Sequence, residues 1–257
     1  MGDVPLLPPD NSVECFSSVQ GTTKHQIWCF AHAGGGAAEF RKWPSLVSSD
    51  ATVFAVRLPA RERRFTDKPF ESMSQACNEL ASSIGPLLIP GAVFYGQCFG
   101  AILAFEVAAA LSRGQGELPS RIYVASQVAP HDLCAELEVE ESVALDDMTE
   151  FKRKVIAYAG VPAKLVDNSD FWMVIERALR ADFQLMESYS TDSVTSFLPI
   201  PIVAFIGDDD PLVPLEGVIR WGELTPGFEI RRIPGGHFLN RTSSSEVIRS
   251  IELDWTD

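Results

Sequence analysis

The stretch AVFYGQCFGAILAFEVAAAL, residues 92–111, decides the fold of this chain. Its first five residues, Ala92–Gly96, form a short apolar run that predicts a buried strand. From Phe99 onward nearly every residue is apolar and proline is absent, which predicts a buried helix. Between the two stands GQCFG, residues 96–100, which has the form G-x-C-x-G. This is the pattern of a nucleophile elbow, with the thiol of Cys98 where a hydroxyl usually stands.

The glycines of this motif have a steric reason. A strand that turns at once into a helix forces the central residue into strained backbone angles, and side chains two residues before and after it would clash. The elbow lifts Cys98 above the sheet edge and points a helix N-terminus at it, which favours a thiolate or an oxyanion. The alternative is a plain strand–turn–helix with a core cysteine. Motifs elsewhere in the chain distinguish these two interpretations.

Composition restricts the classes of protein to which the chain can belong. With 257 residues and 46% hydrophobic content it fits one large domain, and we treat residues 1–257 as one. The net charge of −14 argues against a nucleic-acid partner, because binding phosphates needs a basic face. Five cysteines without a C-x-x-C pair argue against a disulfide framework and a zinc site, and favour a reducing cytoplasm. We predict a cytoplasmic monomer with no metal, no cofactor and no membrane span.

Strands alternate with helical segments along the chain, which predicts an α/β protein with a mainly parallel sheet and helices on both faces. A helix is predicted near Ser72–Ile84, and another begins at Ser243, where Glu246 completes a capping box. Besides the elbow strand, the predicted strands are Val13–Val19, Ile27–Ala33, Thr52–Val56, Arg121–Ser126, Pro201–Ile206 and Phe228–Ile233.

The gap from Gln127 to Ile200 is too long for one crossover connection. It holds two amphipathic patterns, Asp146–Ala159 and Ser169–Tyr189. We predict a helical lid insertion at about residues 131–190, over the carboxyl ends of the strands, because ligands bind at that edge in such sheets. The alternative is a peripheral pair of helices. The candidates for substrate binding in the lid are Phe151, Phe171 and Phe183.

A nucleophile needs a base, and the base needs an orienting acid. Among four histidines, His237 stands in PGGHF directly after the last predicted strand, from where it can reach over the sheet toward the elbow. The acid should come between nucleophile and histidine in chain order, and GDDDP, residues 207–211, follows a strand at the right place. We select Asp210, which stands three residues after the glycine and directly before the proline. The two preceding aspartates are interpreted as solvated turn residues.

An oxyanion hole needs two backbone N–H donors. One is the amide of Phe99, which directly follows the elbow cysteine. The other should come from the loop HAGGG, residues 32–36, where Ala33 is the expected donor and the glycines allow close backbone approach. The rival interpretation of this loop, a phosphate cradle, lacks the G-K-[ST] sequence.

Five collinear segments together resemble a known family: FAHAGGGAAEFRKW, RLPARERR, FYGQCFGAILAFEVA, GDDDPLVP and PGGHFL. From about Ile27 to the C-terminus the chain is similar to the type II thioesterases that accompany polyketide, non-ribosomal peptide and fatty acid synthases. The resemblance implies an α/β-hydrolase fold and hydrolysis of acyl groups from the phosphopantetheine thioester of an acyl or peptidyl carrier protein. The catalytic residues that it implies are Cys98, Asp210 and His237, with Ala33 and Phe99 as oxyanion donors.

Two positions depart from the family pattern. The family usually has Ser at position 98 and commonly Gly where Ala60 stands. A thiol nucleophile gives an acyl-enzyme that is itself a thioester, open to amines and thiols as well as water. The alternative function is therefore an acyltransferase or cyclase that passes the acyl group from Cys98 to an alcohol or amine, and a non-enzymatic acyl-binding protein is the third hypothesis.

The charge of the chain also bears on its partner. Carrier proteins are generally acidic, so the net charge of −14 should oppose the encounter and productive docking needs a local basic patch. The densest cluster follows the predicted strand Thr52–Val56, at the same sheet edge as Cys98. We predict that it steers docking, and the alternative is a solvated loop paired with neighbouring carboxylates. The cluster consists of Arg57, Arg61, Arg63 and Arg64.

Overall fold

A computed structural model describes residues 7–16, 23–132, 147–158, 161, 163–189 and 197–255. Seven strands in this part of the chain form one sheet in the order β1-β3-β2-β4-β5-β6-β7. All neighbouring pairs are parallel except β1 with β3, which confirms the predicted mainly parallel sheet. The strands are β1 (Val13–Cys15), β2 (His25–Phe30), β3 (Ala51–Val56), β4 (Val93–Gln97), β5 (Arg121–Ala125), β6 (Ile202–Gly207) and β7 (Phe228–Ile233).

Helices connect these strands and cover both faces of the sheet. The predicted capping box at the start of the last helix is wrong, because the Ser243 hydroxyl donates to the Pro234 carbonyl instead of capping the helix. None of the described helices is long and apolar enough to cross a membrane. They are α1 (Met73–Ile84), α2 (Phe99–Arg113), α3 (Met148–Tyr158), α4 (Ala163–Val166), α5 (Ser169–Glu187), α6 (Leu215–Ile219), α7 (Leu239–Thr242) and α8 (Ser244–Glu252).

Alternation along the strands divides the core into two layers. On β2, Trp28 and Phe30 point to the face covered by α1 and α2, whereas Ile27 and Cys29 point to the face covered by α8. Helix α2 is buried from Phe99 to Leu111, which explains why its sequence is apolar on all sides.

Several strands of the structure end at residues other than those predicted. Strand β2 ends at Phe30 rather than at Ala33, and β1 ends at Cys15. Residues 17–19 of the first predicted strand lie outside the described residues. The early end of β2 leaves residues 31–36 as a connection above the sheet edge.

The insertion after β5 contains α3, α4 and α5, and residues 133–146, 159, 160, 162 and 190 of the predicted lid lie outside the described residues. These three helices share an apolar cluster that is separate from the two sheet layers. The buried members of that cluster are Phe151, Val155, Val166, Trp172, Leu179 and Phe183.

Candidate active site

Cys98 occupies the sharp turn between β4 and α2. Its backbone has φ 53° and ψ −126°, a conformation that a non-glycine residue adopts only under strain. A Cβ at Gly96 would overlap the backbone of Ala101, and a Cβ at Gly100 would overlap the carbonyl oxygen of Phe30. Both glycines are therefore required by close backbone approach. The geometry is that of the nucleophile elbow expected from the sequence, with a partly exposed thiol at its apex.

Asp210 is the member of the aspartate triplet that contacts His237. The Nδ1–H of His237 donates to the two carboxylate oxygens of Asp210, at 3.0 Å and 3.2 Å. The amide of Leu212 donates to the same carboxylate at 2.9 Å. Asp208 and Asp209 are exposed, and Asp208 lies 3.4 Å from Arg232. The structure thus brings together the acid and the base that the sequence singled out.

The electrostatics of this pair favour a charged imidazole ring. Burial opposes the charge, but hydrogen bonds with Asp210 and Cys98, together with coulombic interactions with the same two side chains, raise the pKa of His237 to about 10. Burial alone would raise the pKa of Asp210, yet its hydrogen bonds with His237 and the Leu212 amide hold it below its usual value. Apart from the Cys98 side chain, the buried Nε2 atom of His237 has no hydrogen-bond partner among the described residues, so it can serve the nucleophile or the substrate.

Gln97 is a residue of the site that the sequence analysis missed. Its side chain is fully buried, and Nε2 donates to the carbonyl oxygen of His237 at 2.6 Å. Its Oε1 accepts from the Tyr95 hydroxyl at 2.9 Å and from the Asn240 amide at 3.3 Å. Gln97 therefore fixes the histidine loop to the elbow strand. A lone amide inside an otherwise apolar strand was the signal that could have identified it.

The proposed oxyanion loop lies directly after β2. The backbone around Phe30 touches Gly100, so the end of β2 and the start of α2 are in contact and their loops share one edge of the sheet. Phe99 is the first residue of α2, where an N–H has no intrahelical acceptor. Ala33 is buried within the loop, whose turn is closed by a 2.9 Å hydrogen bond from the Gly35 amide to the His32 carbonyl.

His32 is buried and interacts electrostatically with His237, but its pKa shifts in the opposite direction. Burial and the positive charge of Arg241 lower the pKa of His32 to about 3. The His32 ring is therefore neutral at physiological pH, which leaves His237 as the candidate for proton transfer at this edge of the sheet.

The three lid phenylalanines lie in two environments. Phe151 and Phe183 are buried and pack against each other, with ring centroids 5.7 Å apart. Phe171 is half-buried at the start of α5. Their contact with substrate stays a prediction.

The predicted four-arginine docking patch is wrong, because three of its members are buried in ion pairs. Arg57 is 4% exposed and pairs with Glu14 and Glu62. Arg64 is 6% exposed and lies 2.8 Å from Asp67. The third buried member is Arg61, which pairs with Asp182 of the lid helix, and Arg63 is exposed.

Known proteins resemble this chain over most of its length. The thioesterase domain family matches residues 25–254. The chain is 28% identical over 233 residues to the gramicidin S biosynthesis protein GrsT of Aneurinibacillus migulanus, with 90% of this chain and 89% of that protein covered. It is 29% identical over 218 residues to the medium-chain S-acyl fatty acid synthase thioesterase of Rattus norvegicus, with 83% and 80% covered.

A solved structure agrees with the fold as well. RedJ, a thioesterase from the prodiginine biosynthetic pathway in Streptomyces coelicolor, has a TM-score of 0.79 and 26% sequence identity, with 90% of this chain and 85% of that chain covered. The predicted α/β-hydrolase fold and the resemblance to thioesterases of synthase systems are thereby confirmed. The chain belongs to the thioesterase domain family and is a thioester hydrolase.

Proposed function

We propose that this thioesterase removes acyl groups from the phosphopantetheine arm of an acyl or peptidyl carrier protein, through an acyl-enzyme on Cys98. The observation that carries the proposal is the 3.0 Å contact between His237 and Asp210 at the same sheet edge as the elbow cysteine. The substrate class is supported by the relatives, which are named for gramicidin S biosynthesis, a fatty acid synthase and prodiginine biosynthesis.

The first step transfers the acyl group between two sulfur atoms. The Cys98 thiolate attacks the thioester carbonyl carbon, and the resulting oxyanion accepts hydrogen bonds from the amides of Ala33 and Phe99. The carbon–sulfur bond to phosphopantetheine then breaks, and the imidazolium of His237 gives its Nε2 proton to the leaving sulfur. Because one thioester replaces another, this step is nearly isoenergetic.

The second step consumes water. The ring of His237, now neutral, takes a proton from a water molecule whose oxygen adds to the acyl carbon. The same two amides stabilise the second oxyanion, the bond to Cys98 breaks, and the products are a carboxylic acid and the regenerated thiolate–imidazolium pair. Asp210 orients the ring and stabilises the imidazolium.

Intact-protein mass spectrometry tests this function. The parent enzyme should convert an acyl-carrier protein to its free phosphopantetheine form and should itself gain one acyl mass, located on Cys98. Cys98→Ala should abolish both signals, whereas Cys98→Ser should keep the acylation geometry. Cys15→Ser, at a half-buried cysteine on β1, is the control and should retain turnover. Turnover by the Cys98→Ala variant at the parent rate would refute the covalent mechanism.

Acyl transfer to an alcohol or amine is the second candidate, and the thiol at position 98 is the observation that favours it. An acyl-thioester on Cys98 keeps the group-transfer reactivity of the substrate, whereas a serine ester would lose much of it. Incubating the acyl-enzyme with an amine or an alcohol distinguishes the two functions. A free acid as the main product supports hydrolysis, and an amide or ester as the main product supports transfer.

A further inference from the structure

Asp182 of the lid helix α5 binds the glycine loop that carries the proposed oxyanion donor. Asp182 is 0% exposed, and its Oδ2 accepts a hydrogen bond from the Gly34 amide at 2.7 Å. Arg61 donates to both of its oxygens, from Nη1 at 2.8 Å and from Nη2 at 2.5 Å. Such a bidentate, charge-assisted pair is both stronger and more directional than a neutral hydrogen bond.

Arg61 extends this contact to the next residue of the loop. Its Nη1 also donates to the Gly35 carbonyl at 2.6 Å, and its Nε donates to the Pro59 carbonyl at 3.1 Å. The guanidinium is 6% exposed, so both charges of the pair are withdrawn from water. One carboxylate and one guanidinium therefore hold the N–H of Gly34 and the C=O of Gly35.

A second side chain of α5 contacts the same residue. Leu179 stands three residues before Asp182, so both lie on one face of the helix. Gly34 has φ +76°, and a Cβ there would overlap the Leu179 side chain. The amide of Gly34 belongs to the same planar peptide unit as the carbonyl of Ala33. Fixing that plane restricts the backbone of Ala33 and hence the direction of its own N–H.

We propose that Asp182, with Arg61 as its partner, is a positioning residue that holds the Ala33 amide of the oxyanion hole in place. The inference rests on the proposed function, in which that amide stabilises the oxyanion formed on Cys98. It gives helix α5 of the predicted lid a second task, because α5 would support the oxyanion loop in addition to the predicted covering of the site. Displacing such a donor by about 1 Å costs on the order of 100-fold in rate.

Two reactions of the same sulfur separate positioning from folding. Acylation of Cys98 by an acyl thioester passes through an oxyanion, whereas alkylation by iodoacetamide is a displacement at saturated carbon and forms none. In Asp182→Asn, the single-turnover acylation rate constant should fall roughly 10- to 100-fold. The alkylation rate of Cys98, followed by peptide mass spectrometry, should stay within about twofold of the parent, because it needs only the thiolate and His237.

Glu106→Gln is the matched control. Glu106 is also a buried carboxylate, and it accepts a 2.6 Å hydrogen bond from Tyr189, just beyond the C-terminal end of the lid helix α5. A carboxyl group is again replaced by an amide, but the hydrogen bond that the structure gives Glu106 joins it to Tyr189 and not to residues 32–36. Both reactions should proceed at parent rates in this variant.

The outcomes separate this inference from the function on which it rests. Parent-like acylation in Asp182→Asn would overturn the inference and leave the proposed function standing, and an equal fall in both reactions would overturn it in favour of general disorder at the site. A parent enzyme that is not acylated at all would overturn both. If circular dichroism shows that Asp182→Asn does not fold, the same two reactions are measured in Arg61→Lys. This variant keeps the positive charge but loses the bidentate hydrogen bonds to the Asp182 carboxylate. The same selective loss of acylation is expected there, and its absence would refute the proposal.

Discussion

The raised pKa of His237 is the residue-scale property that most affects the proposed chemistry. In the proposed mechanism two negative groups, Asp210 and the Cys98 thiolate, stabilise the protonated ring. Acylation removes one of them, because a thioester carries no charge. The pKa of His237 must then fall, so the ring that starts as an acid becomes a base for the water step. In this scheme the change of role follows from the loss of the thiolate charge.

Asp210→Asn tests this balance. The amide removes a negative charge next to the imidazolium and can stabilise the wrong ring tautomer, so the pKa of His237 should fall and kcat should decrease roughly 100-fold. Because the ring then loses its proton at lower pH, the high-pH limb of kcat/KM should move toward neutrality. Asp208→Asn and Asp209→Asn, at exposed positions, are the controls. Equal losses in all three variants would refute the assignment of Asp210.

The elbow glycine Gly100 gives a second test at this scale. Gly100→Ala places a methyl group against the Phe30 and Ala31 carbonyls and should lower the free energy of unfolding by about 1–3 kcal/mol, together with activity. Gly114→Ala is the control, because φ is −79° there and the nearest atoms to a new Cβ are 3.6 Å away. That variant should stay within about 0.5 kcal/mol of the parent in urea unfolding. Equal effects of the two changes would contradict the close-approach explanation.

At the scale of elements, the segment directly after helix α5 is attached to α2, the helix that follows the elbow. The Tyr189 hydroxyl donates to Glu106, which lies in the middle of α2. Burial raises the pKa of Glu106, and the hydrogen bond from Tyr189 offsets the shift only in part. The folded protein therefore keeps this proton at a pH where the unfolded chain has lost it.

This attachment predicts a pH dependence of stability with a definite sign. Because the folded state binds more protons than the unfolded state between the ordinary carboxyl pKa and the raised one, stability should fall as pH rises through that interval. Glu106→Gln cannot titrate and should remove this contribution. Urea unfolding at several pH values gives the free energy of unfolding of the parent and of Glu106→Gln. The parent's value minus that of the variant should shrink or change sign as pH rises. Parallel pH profiles would contradict the prediction.

At the scale of the whole molecule, the site was predictable where topology alone brings motifs together. The carboxyl ends of β4, β6 and β7 lie at one edge of a parallel sheet, so motif order was enough to select Cys98, Asp210 and His237 as the candidate triad. The arginine cluster could not be interpreted in this way. The partner of Arg57 on β1 and the partner of Arg61 in the lid are 43 and 121 residues away. A run of charges has the same pattern whether it is solvated or paired with distant carboxylates.

Docking of the proposed carrier protein must therefore depend on less basic surface than the sequence suggested. The chain carries a net charge of −14, and of the four arginines in the loop after β3 only Arg63 is exposed in the structure as described. Reversing Arg61 or Arg64 would break buried ion pairs and could not isolate an effect on docking. A single exposed charge permits a cleaner experiment.

Arg63→Glu should lower kcat/KM for an acyl-carrier protein about 3- to 10-fold at low salt, because an acidic partner is attracted less strongly to the sheet edge that carries Cys98. It should leave a small acyl-N-acetylcysteamine thioester unaffected. Arg113→Glu is the matched control, since this exposed arginine ends α2 at the opposite end from the elbow. Salt near 0.1 M should lower kcat/KM of the parent for the acyl-carrier protein. It should also reduce the difference in this kcat/KM between the parent and Arg63→Glu. Equal losses on both substrates would indicate a damaged site, and equal losses in Arg63→Glu and Arg113→Glu would mean that net charge alone governs the encounter.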